Sequence, residues 1–116
     1  MEYEWLIDEA IKRGMQSGLD ALSPLQRAVF LISEAEVYCD MDGIDSFVGR
    51  YEPAVLLEAS AAFSAVGATA IAAGPEDIAQ ASPTADEGLL NRVNELICNR
   101  SGYNADSIAR YIAGHT

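Results

Sequence analysis

The feature that most restricts the fold of this sequence is the spacing of its apolar residues, which recur at three and four positions rather than at two. The clearest segment begins at Ser23, which suits a helix N-cap, while Pro24 suits the first helical position and Gln26 completes an S-x-x-Q capping box. The apolar residues that follow at helical spacing are Leu25, Ala28, Val29, Ile32 and Ala35. This pattern predicts a helix that runs to about Tyr38.

The rest of the chain shows the same periodicity, interrupted by glycine and proline. The other predicted helices are 2–15, a short helix at 44–51, a helix at 53–66, one at 68–73, a new helix that begins at 75, a long helix at 89–99 and a last helix that Asn104 caps. Gly74-Pro75 is expected to interrupt one helix, and 82–84 is expected to be a linker or a cap. No alternating run of β-branched residues is long enough to predict a strand. We therefore predict an all-α fold of six to seven helices in a single domain over residues 1–116.

The composition fits one globular domain with a strong negative charge. Of 116 residues, 50% are hydrophobic, so the chain has enough apolar material for a core. Acidic residues number 18 and basic residues 7, for a formal net charge of −11. This balance excludes a protein that grips nucleic acid directly, because a broad basic face needs clustered Lys and Arg.

The acidic residues are concentrated in the middle of the chain, where residues 34–58 hold seven acids and one base. The candidate partner-binding residues are Glu34, Glu36, Asp40, Asp42, Asp45 and Glu52. Consecutive turns of a helix place carboxylates about 6 Å apart, which is comparable to the spacing of phosphates along a nucleic-acid strand. Such a surface can attract a basic protein over long range. The alternative is a solvated acidic face that only keeps the protein soluble.

No metal site or cofactor site is predicted. Asp40-Met41-Asp42-Gly43 resembles the start of a calcium loop, but the sixth and twelfth loop positions, Asp45 and Tyr51, are not the glycine and glutamate that an EF-hand requires. No phosphate-binding glycine loop or nucleophile motif is present. We therefore expect a protein that is not an enzyme.

The cysteines, the aromatic residues and the single histidine are all assigned to structure rather than to chemistry. Cys39 and Cys98 lie inside or at the end of helical apolar patterns and are predicted to be core residues. His115 is the penultimate residue and is given no catalytic role. The aromatic residues predicted to be core are Trp5, Phe30, Tyr38, Phe47, Tyr51, Phe63 and Tyr111.

Two segments, the N-terminal residues and the uncharged segment 59–74, indicate where in the cell the protein is expected. The N-terminus has no basic region followed by an apolar core, so no secretory signal is predicted. The segment 59–74 is shorter than the roughly 20 residues of a membrane span and is rich in small side chains, which predicts a buried helix. We expect a cytoplasmic protein with no membrane contact.

Several segments are similar to one known family. They are Leu22-Ser23-Pro24-Leu25-Gln26-Arg27-Ala28-Val29 with Glu34-Ala35-Glu36-Val37, Gly43-Ile44-Asp45-Ser46-Phe47, the run 59–68 and the closing Ile108-Ala109-Arg110-Tyr111-Ile112. Their order resembles the small bacterial helical domains named after DNA-mimic protein nineteen, most of which have no known function. The resemblance covers residues 20–73 and, more weakly, the last twelve.

The resemblance implies an all-α domain that is often a homodimer. In the member that names the family, acidic side chains occupy the DNA-binding surface of a regulator. Carried over by position, this role falls on the acids of the matched segment, which are Glu34, Glu36, Asp40, Asp42 and Asp45.

The leading hypothesis is a non-enzymatic acidic module that imitates the DNA backbone and binds a basic protein, such as a DNA-binding regulator, a nucleoid protein or a toxin. Two alternatives stay open at this point. The first is an immunity or inhibitor protein for a basic toxin such as a nuclease. The second is a small-ligand binder or enzyme with a pocket between helices.

Overall fold

Seven α-helices and no strand are found in the part of the chain that the computed structural model describes, residues 4–81 and 87–115. The helices are α1 (Glu4–Ser17), α2 (Pro24–Met41), α3 (Ile44–Arg50), α4 (Pro53–Ala65), α5 (Thr69–Ala81), α6 (Glu87–Cys98) and α7 (Ala105–His115), with a 3₁₀ helix at Leu19–Ala21. The all-α prediction is confirmed. The predicted linker at 82–84 lies outside the described residues.

Two helix starts are fixed by side chains that cap the backbone. At α2, the backbone N–H of Gln26 donates to Ser23 Oγ at 3.2 Å, and the backbone N–H of Ser23 donates to Gln26 Oε1 at 3.1 Å. At α7, the backbone N–H of Ser107 donates to Asn104 Oδ1 at 3.0 Å, and Ser107 Oγ accepts in return. Both reciprocal caps satisfy backbone donors that a helix leaves unpaired, so both predicted starts are confirmed.

Helix α2 occupies the centre of the fold. It packs against α1, α3, α4, α6 and α7, and it buries residues on several of its sides. The core to which it contributes includes the fully buried side chains of Leu31, Ile32, Ile44, Phe47, Leu56, Phe63, Ile71, Ile78 and Ile97. The Cα radius of gyration is 13.3 Å, close to the ~13 Å that a single domain of this length should have.

The predicted break at Gly74-Pro75 is wrong, because α5 continues through both residues. Proline at this position removes one backbone hydrogen bond inside the helix. However, Gly74 and Pro75 are both buried, and they lie on the same side of α5 as the fully buried Ile71 and Ile78. Packing of this side against the neighbouring helices therefore outweighs the local preference for a break.

Helix α1 buries only part of the apolar stripe that its sequence predicts, which consists of Trp5, Leu6, Ala10, Ile11 and Met15. Trp5 and Met15 are 62% and 74% exposed, so the prediction that Trp5 is a core residue is wrong. Ala10 is buried as predicted, and Gly14 is buried on the same side, where a Cβ would lie 2.5 Å from the ring of Phe30. The missing side chain of Gly14 lets α1 approach α2 closely, which sets the rotation of α1.

None of the helices in the described ranges is long and apolar enough to cross a membrane. The uncharged segment 59–74 instead forms the second half of α4 and the first half of α5, and these two helices make the most extensive helix pair among the described residues. Ala59, Ala62 and Ala68 are buried there. Small side chains at these positions allow the two helices to pack closely, as the sequence predicts.

The close contact at Gly74 gives a stability test. A Cβ at this position would lie 2.5 Å from Val93 Cγ2, so Gly74→Ala should lower the free energy of unfolding by about 1–3 kcal/mol through overpacking. Gly49→Ala is the matched control, because nothing lies within 4 Å of a Cβ there. The control should raise stability by about 0.5–1 kcal/mol through helix propensity. Urea unfolding of both variants measures the difference, and equal effects would contradict the packing of α5 on α6.

Candidate functional site

Helix α2 separates the predicted acidic residues into two groups. At about 100° per residue, Glu34 and Glu36 point to nearly opposite sides of the helix, whereas Glu36 and Asp40 are one turn apart on the same side. Glu36 and Asp40 face the chain that follows α6, and Glu34 faces the junction of α3 and α4. The acids of α2 therefore do not form one uniform row.

Arg100 binds both carboxylates on one side of α2. Its Nη2 and Nη1 donate to Asp40 Oδ2 and Oδ1 at 2.8 and 3.2 Å, and its Nε lies 3.1 Å from Glu36 Oε2. The hydroxyl of Tyr103 donates to the same Glu36 oxygen. We call these four residues, Glu36, Asp40, Arg100 and Tyr103, the arginine clamp.

The clamp is built on the turn that ends α6. Arg100 has a φ of 51° in the left-handed region, and its Nη1 also donates to the carbonyl oxygens of Ile97 and Cys98 at 2.9 and 3.2 Å. These carbonyls belong to the last turn of α6, and that of Ile97 also accepts from the backbone N–H of Arg100 at 3.0 Å. Arg100 thus satisfies the end of α6 and fastens it to α2.

The charges in the clamp shift the ionisation of its members. Hydrogen bonding to Arg100 lowers the pKa of Asp40, so this carboxylate keeps its negative charge to lower pH than an ordinary aspartate. Burial, and then the hydrogen bond to Glu36, raise the pKa of Tyr103, which stays protonated as a donor. Both acids of the clamp are bound by one arginine, so the clamp keeps a net negative charge of one.

Glu34 has a partner as well. It accepts a hydrogen bond from the hydroxyl of Tyr51 at 2.9 Å, and burial followed by Glu34 raises the pKa of Tyr51. The Tyr51 ring packs edge-on against Phe47, with ring centroids 5.2 Å apart. This pair fixes the end of α3 against α2.

Asp42, Asp45 and Glu52 are exposed, and we call them the exposed acids. Asp42 is the residue after α2, Asp45 lies in the first turn of α3, and Glu52 precedes α4 without a side-chain capping bond. Among the described residues, none of the three makes an ion pair. Glu34 makes no ion pair there either, but it accepts a hydrogen bond from Tyr51, so Asp42, Asp45 and Glu52 are the exposed members of the predicted set that have no cationic partner.

An open groove of about 500 Å³ runs beside Glu52. The charged residues that line it are Asp20, Glu34, Arg50 and Glu52, and apolar and aromatic surface comes from Met15, Tyr38, Tyr51 and Val55. Three carboxylates and several apolar surfaces are thus exposed side by side. The volume is in the range of small-molecule sites, so the small-ligand hypothesis stays a prediction.

Several features of the site were not predicted from the sequence. Arg100 and Tyr103 were not assigned a role, because a contact across 60 residues leaves no local pattern. The prediction that Cys98 is a core residue is wrong, since it is exposed, whereas Cys39 is buried as predicted. Within the described ranges, no three side chains of His, Cys, Asp or Glu come together as metal ligands would.

Comparison with known proteins adds no assignment. No family model, no curated protein and no solved structure matches this chain. The resemblance to the helical domains named after DNA-mimic protein nineteen therefore stays a prediction.

Removal of the clamp arginine should destabilise the fold in a pH-dependent way. Arg100→Ala should lower the free energy of unfolding at pH 7 by about 1–2 kcal/mol, because Glu36 and two carbonyl oxygens lose a charged donor. The lowered pKa of Asp40 adds stability that is present above the unfolded aspartate pKa of about 3.9 and is lost as the pH falls through the lower folded value. Denaturant unfolding should therefore show a smaller effect of the variant at acidic pH than at pH 7.

Arg92→Ala is the matched control for this experiment. Arg92 lies on α6, is exposed, and makes no ion pair with the described residues. Its loss should change stability by less than about 0.5 kcal/mol at either pH. An equal effect of the two variants, or an Arg100→Ala effect that does not change with pH, would contradict the clamp.

Proposed function

We propose that this protein is a non-enzymatic, acidic helical module that binds a basic protein through the exposed acids Asp42, Asp45 and Glu52. The supporting observation is that these three carboxylates lie on the surface without an ion pair among the described residues, while Glu36 and Asp40 are held by Arg100. With 18 acids and 7 bases, the chain cannot neutralise its own charge. A basic partner can supply the missing positive charge.

The groove beside Glu52, in which three carboxylates outnumber the one basic residue Arg50, supports a partner that is rich in Lys and Arg. Long basic side chains have an aliphatic stem and a charged end. Met15 and Val55 offer apolar contact for the stem, and Asp20 and Glu52 offer carboxylates for the charged end. A partner with several such side chains gains both long-range attraction and short-range contact.

The proposed partner is a DNA-binding protein, and the proposed contact is the basic surface that otherwise holds DNA. A basic nucleoid protein or transcription regulator in the cytoplasm presents such a surface. Asp42 and Asp45 then take the positions of backbone phosphates. Homodimer formation, which the family resemblance implies, is part of this proposal and would double the number of exposed acids.

Competition with DNA tests the proposal. Fluorescein-labelled DNA duplex is bound to a purified basic nucleoid protein, and the acidic protein is titrated into the complex while anisotropy is recorded. We expect displacement of the duplex, and we expect it to weaken when salt is raised from about 0.05 M to about 0.5 M, because the Debye length shortens.

Charge reversal at two places gives the matched comparison. The triple variant Asp42→Lys, Asp45→Lys, Glu52→Lys should require roughly tenfold more protein for the same displacement, or more, because three favourable charge contacts become repulsive. The triple variant Asp77→Lys, Glu87→Lys, Asp106→Lys changes the net charge equally at exposed positions elsewhere. This second variant should lose much less of its ability to displace the duplex.

Two outcomes would reject the proposal. Wild-type protein that displaces no duplex would exclude the DNA-mimic mechanism. Equal losses in the two triple variants would show that only net charge matters and that the exposed acids have no special role. Inhibition of a basic nuclease, measured with the same variants, would instead favour the inhibitor hypothesis.

A further inference from the structure

The two cysteines of this chain meet, although 59 positions separate them in sequence. The thiol of Cys98 lies 3.6 Å from the carbonyl oxygen of Cys39, to which it donates a hydrogen bond. Cys98 is also one of the groups that raise the pKa of the Cys39 thiol. This contact joins the last turn of α2 to the last residue of α6.

The two thiols differ in exposure, and this difference gives them different chemistry. Cys98 is exposed, whereas Cys39 is 6% exposed. Burial, and then the neighbouring Cys98, raise the pKa of the Cys39 thiol to about 12, so Cys39 stays protonated at neutral pH. An oxidant in solution can therefore reach Cys98 directly, whereas Cys39 is protected by burial.

We propose that Cys98 and Cys39 form a peroxide-reactive thiol–disulfide site, in which Cys98 is oxidised first and Cys39 then closes an intramolecular disulfide. The oxidant is a hydroperoxide such as hydrogen peroxide. The Cys98 thiolate attacks one peroxide oxygen, the O–O bond breaks, and the departing hydroxide takes up the thiol proton as water, which leaves a sulfenic acid on Cys98.

The second step uses the buried cysteine. The Cys39 sulfur attacks the Cys98 sulfur, the S–O bond breaks, and the departing hydroxide takes the Cys39 proton to give a second water. Two thiols are oxidised by two electrons in total, and one peroxide is reduced to two waters. The contact of the Cys98 sulfur with the backbone of Cys39, at 3.6 Å from its carbonyl oxygen, already brings the two residues together for this step.

The arginine clamp supports this geometry from the adjacent turn. Arg100 donates to the carbonyl oxygen of Cys98 at 3.2 Å and binds Asp40, the residue that follows Cys39. It therefore holds the backbone of both cysteines in place on two helices. A disulfide between them would join the same two helices covalently, beside the acids that the clamp already occupies.

Capping alone would also account for the position of Cys98, because Cys39 lies in the last turn of α2 and its carbonyl oxygen lies beyond the reach of the regular helical bonds. The variant Cys98→Ser separates the two roles. A serine hydroxyl can still donate to that carbonyl, but it cannot form a disulfide. Stability should therefore be kept while peroxide reactivity is lost.

Peptide mapping after peroxide treatment tests the proposal on the full chain. Hydrogen peroxide is added to the reduced protein, free thiols are alkylated, and the protein is digested with trypsin. Cleavage after Arg27, Arg50, Arg92 and Arg100 places Cys39 in peptide 28–50 and Cys98 in peptide 93–100. We expect these two peptides to be joined, with the protein lighter by two hydrogen atoms and with both peptides drawn from one chain.

The variant Cys39→Ser tests the order of the two steps. Without the resolving thiol, Cys98 should accumulate as sulfenic acid and become labelled by dimedone, whereas Cys98→Ser should leave Cys39 unlabelled. The wild-type protein should show little labelling, because the disulfide forms instead. These three results together would support the proposal.

Three results would overturn it. The first is wild-type protein in which both thiols are still alkylated after peroxide treatment. The second is oxidation of Cys98 to the sulfinic acid, or a disulfide between two chains, while Cys39 stays reduced. The third is equal dimedone labelling of wild type and Cys39→Ser, which would show that Cys39 does not resolve the first product.

Discussion

The burial of helix α2 is the constraint on which the rest of this structure depends. Five other helices pack against it, and its inner residues include the fully buried Leu31, Ile32 and Ala35. A helix enclosed in this way has little surface left for solvent. Any charged side chain that it carries must find a partner on a neighbouring element or lie near an end of the helix.

The acidic residues of the protein are arranged by this constraint. Glu36 and Asp40 lie where the turn after α6 meets α2, and there Arg100 binds both of them. Glu34 lies where α3 ends, and it accepts from Tyr51. Asp42 and Asp45 follow the end of α2, where the burial of this helix no longer restricts a charged side chain, and both are exposed. The acids thus fall into two groups: some hold the helices together, and others stay exposed, where we propose that a basic partner binds.

The sequence was a good guide to the helices and a partial guide to the site. Capping residues and apolar periodicity act over a few residues, so the starts of α2 and α7 could be read directly. The continuation of α5 through Pro75 could not, because it depends on burial against other helices. The candidate acids could be chosen from their density along the chain. Their division into bound and exposed groups could not, since it depends on Arg100, 60 residues from Asp40.

The central claim is that the exposed acids, and not the negative charge as a whole, form the surface that meets a basic partner. The most direct measurement is an NMR titration of ¹⁵N-labelled protein with a basic nucleoid protein, in which the backbone amide shifts locate the contact. The account predicts that the largest changes fall on the end of α2, on α3 and on the start of α4, at Asp42, Asp45 and Glu52. Changes of equal size at Asp77, Glu87 and Asp106, or no changes at all, would contradict it.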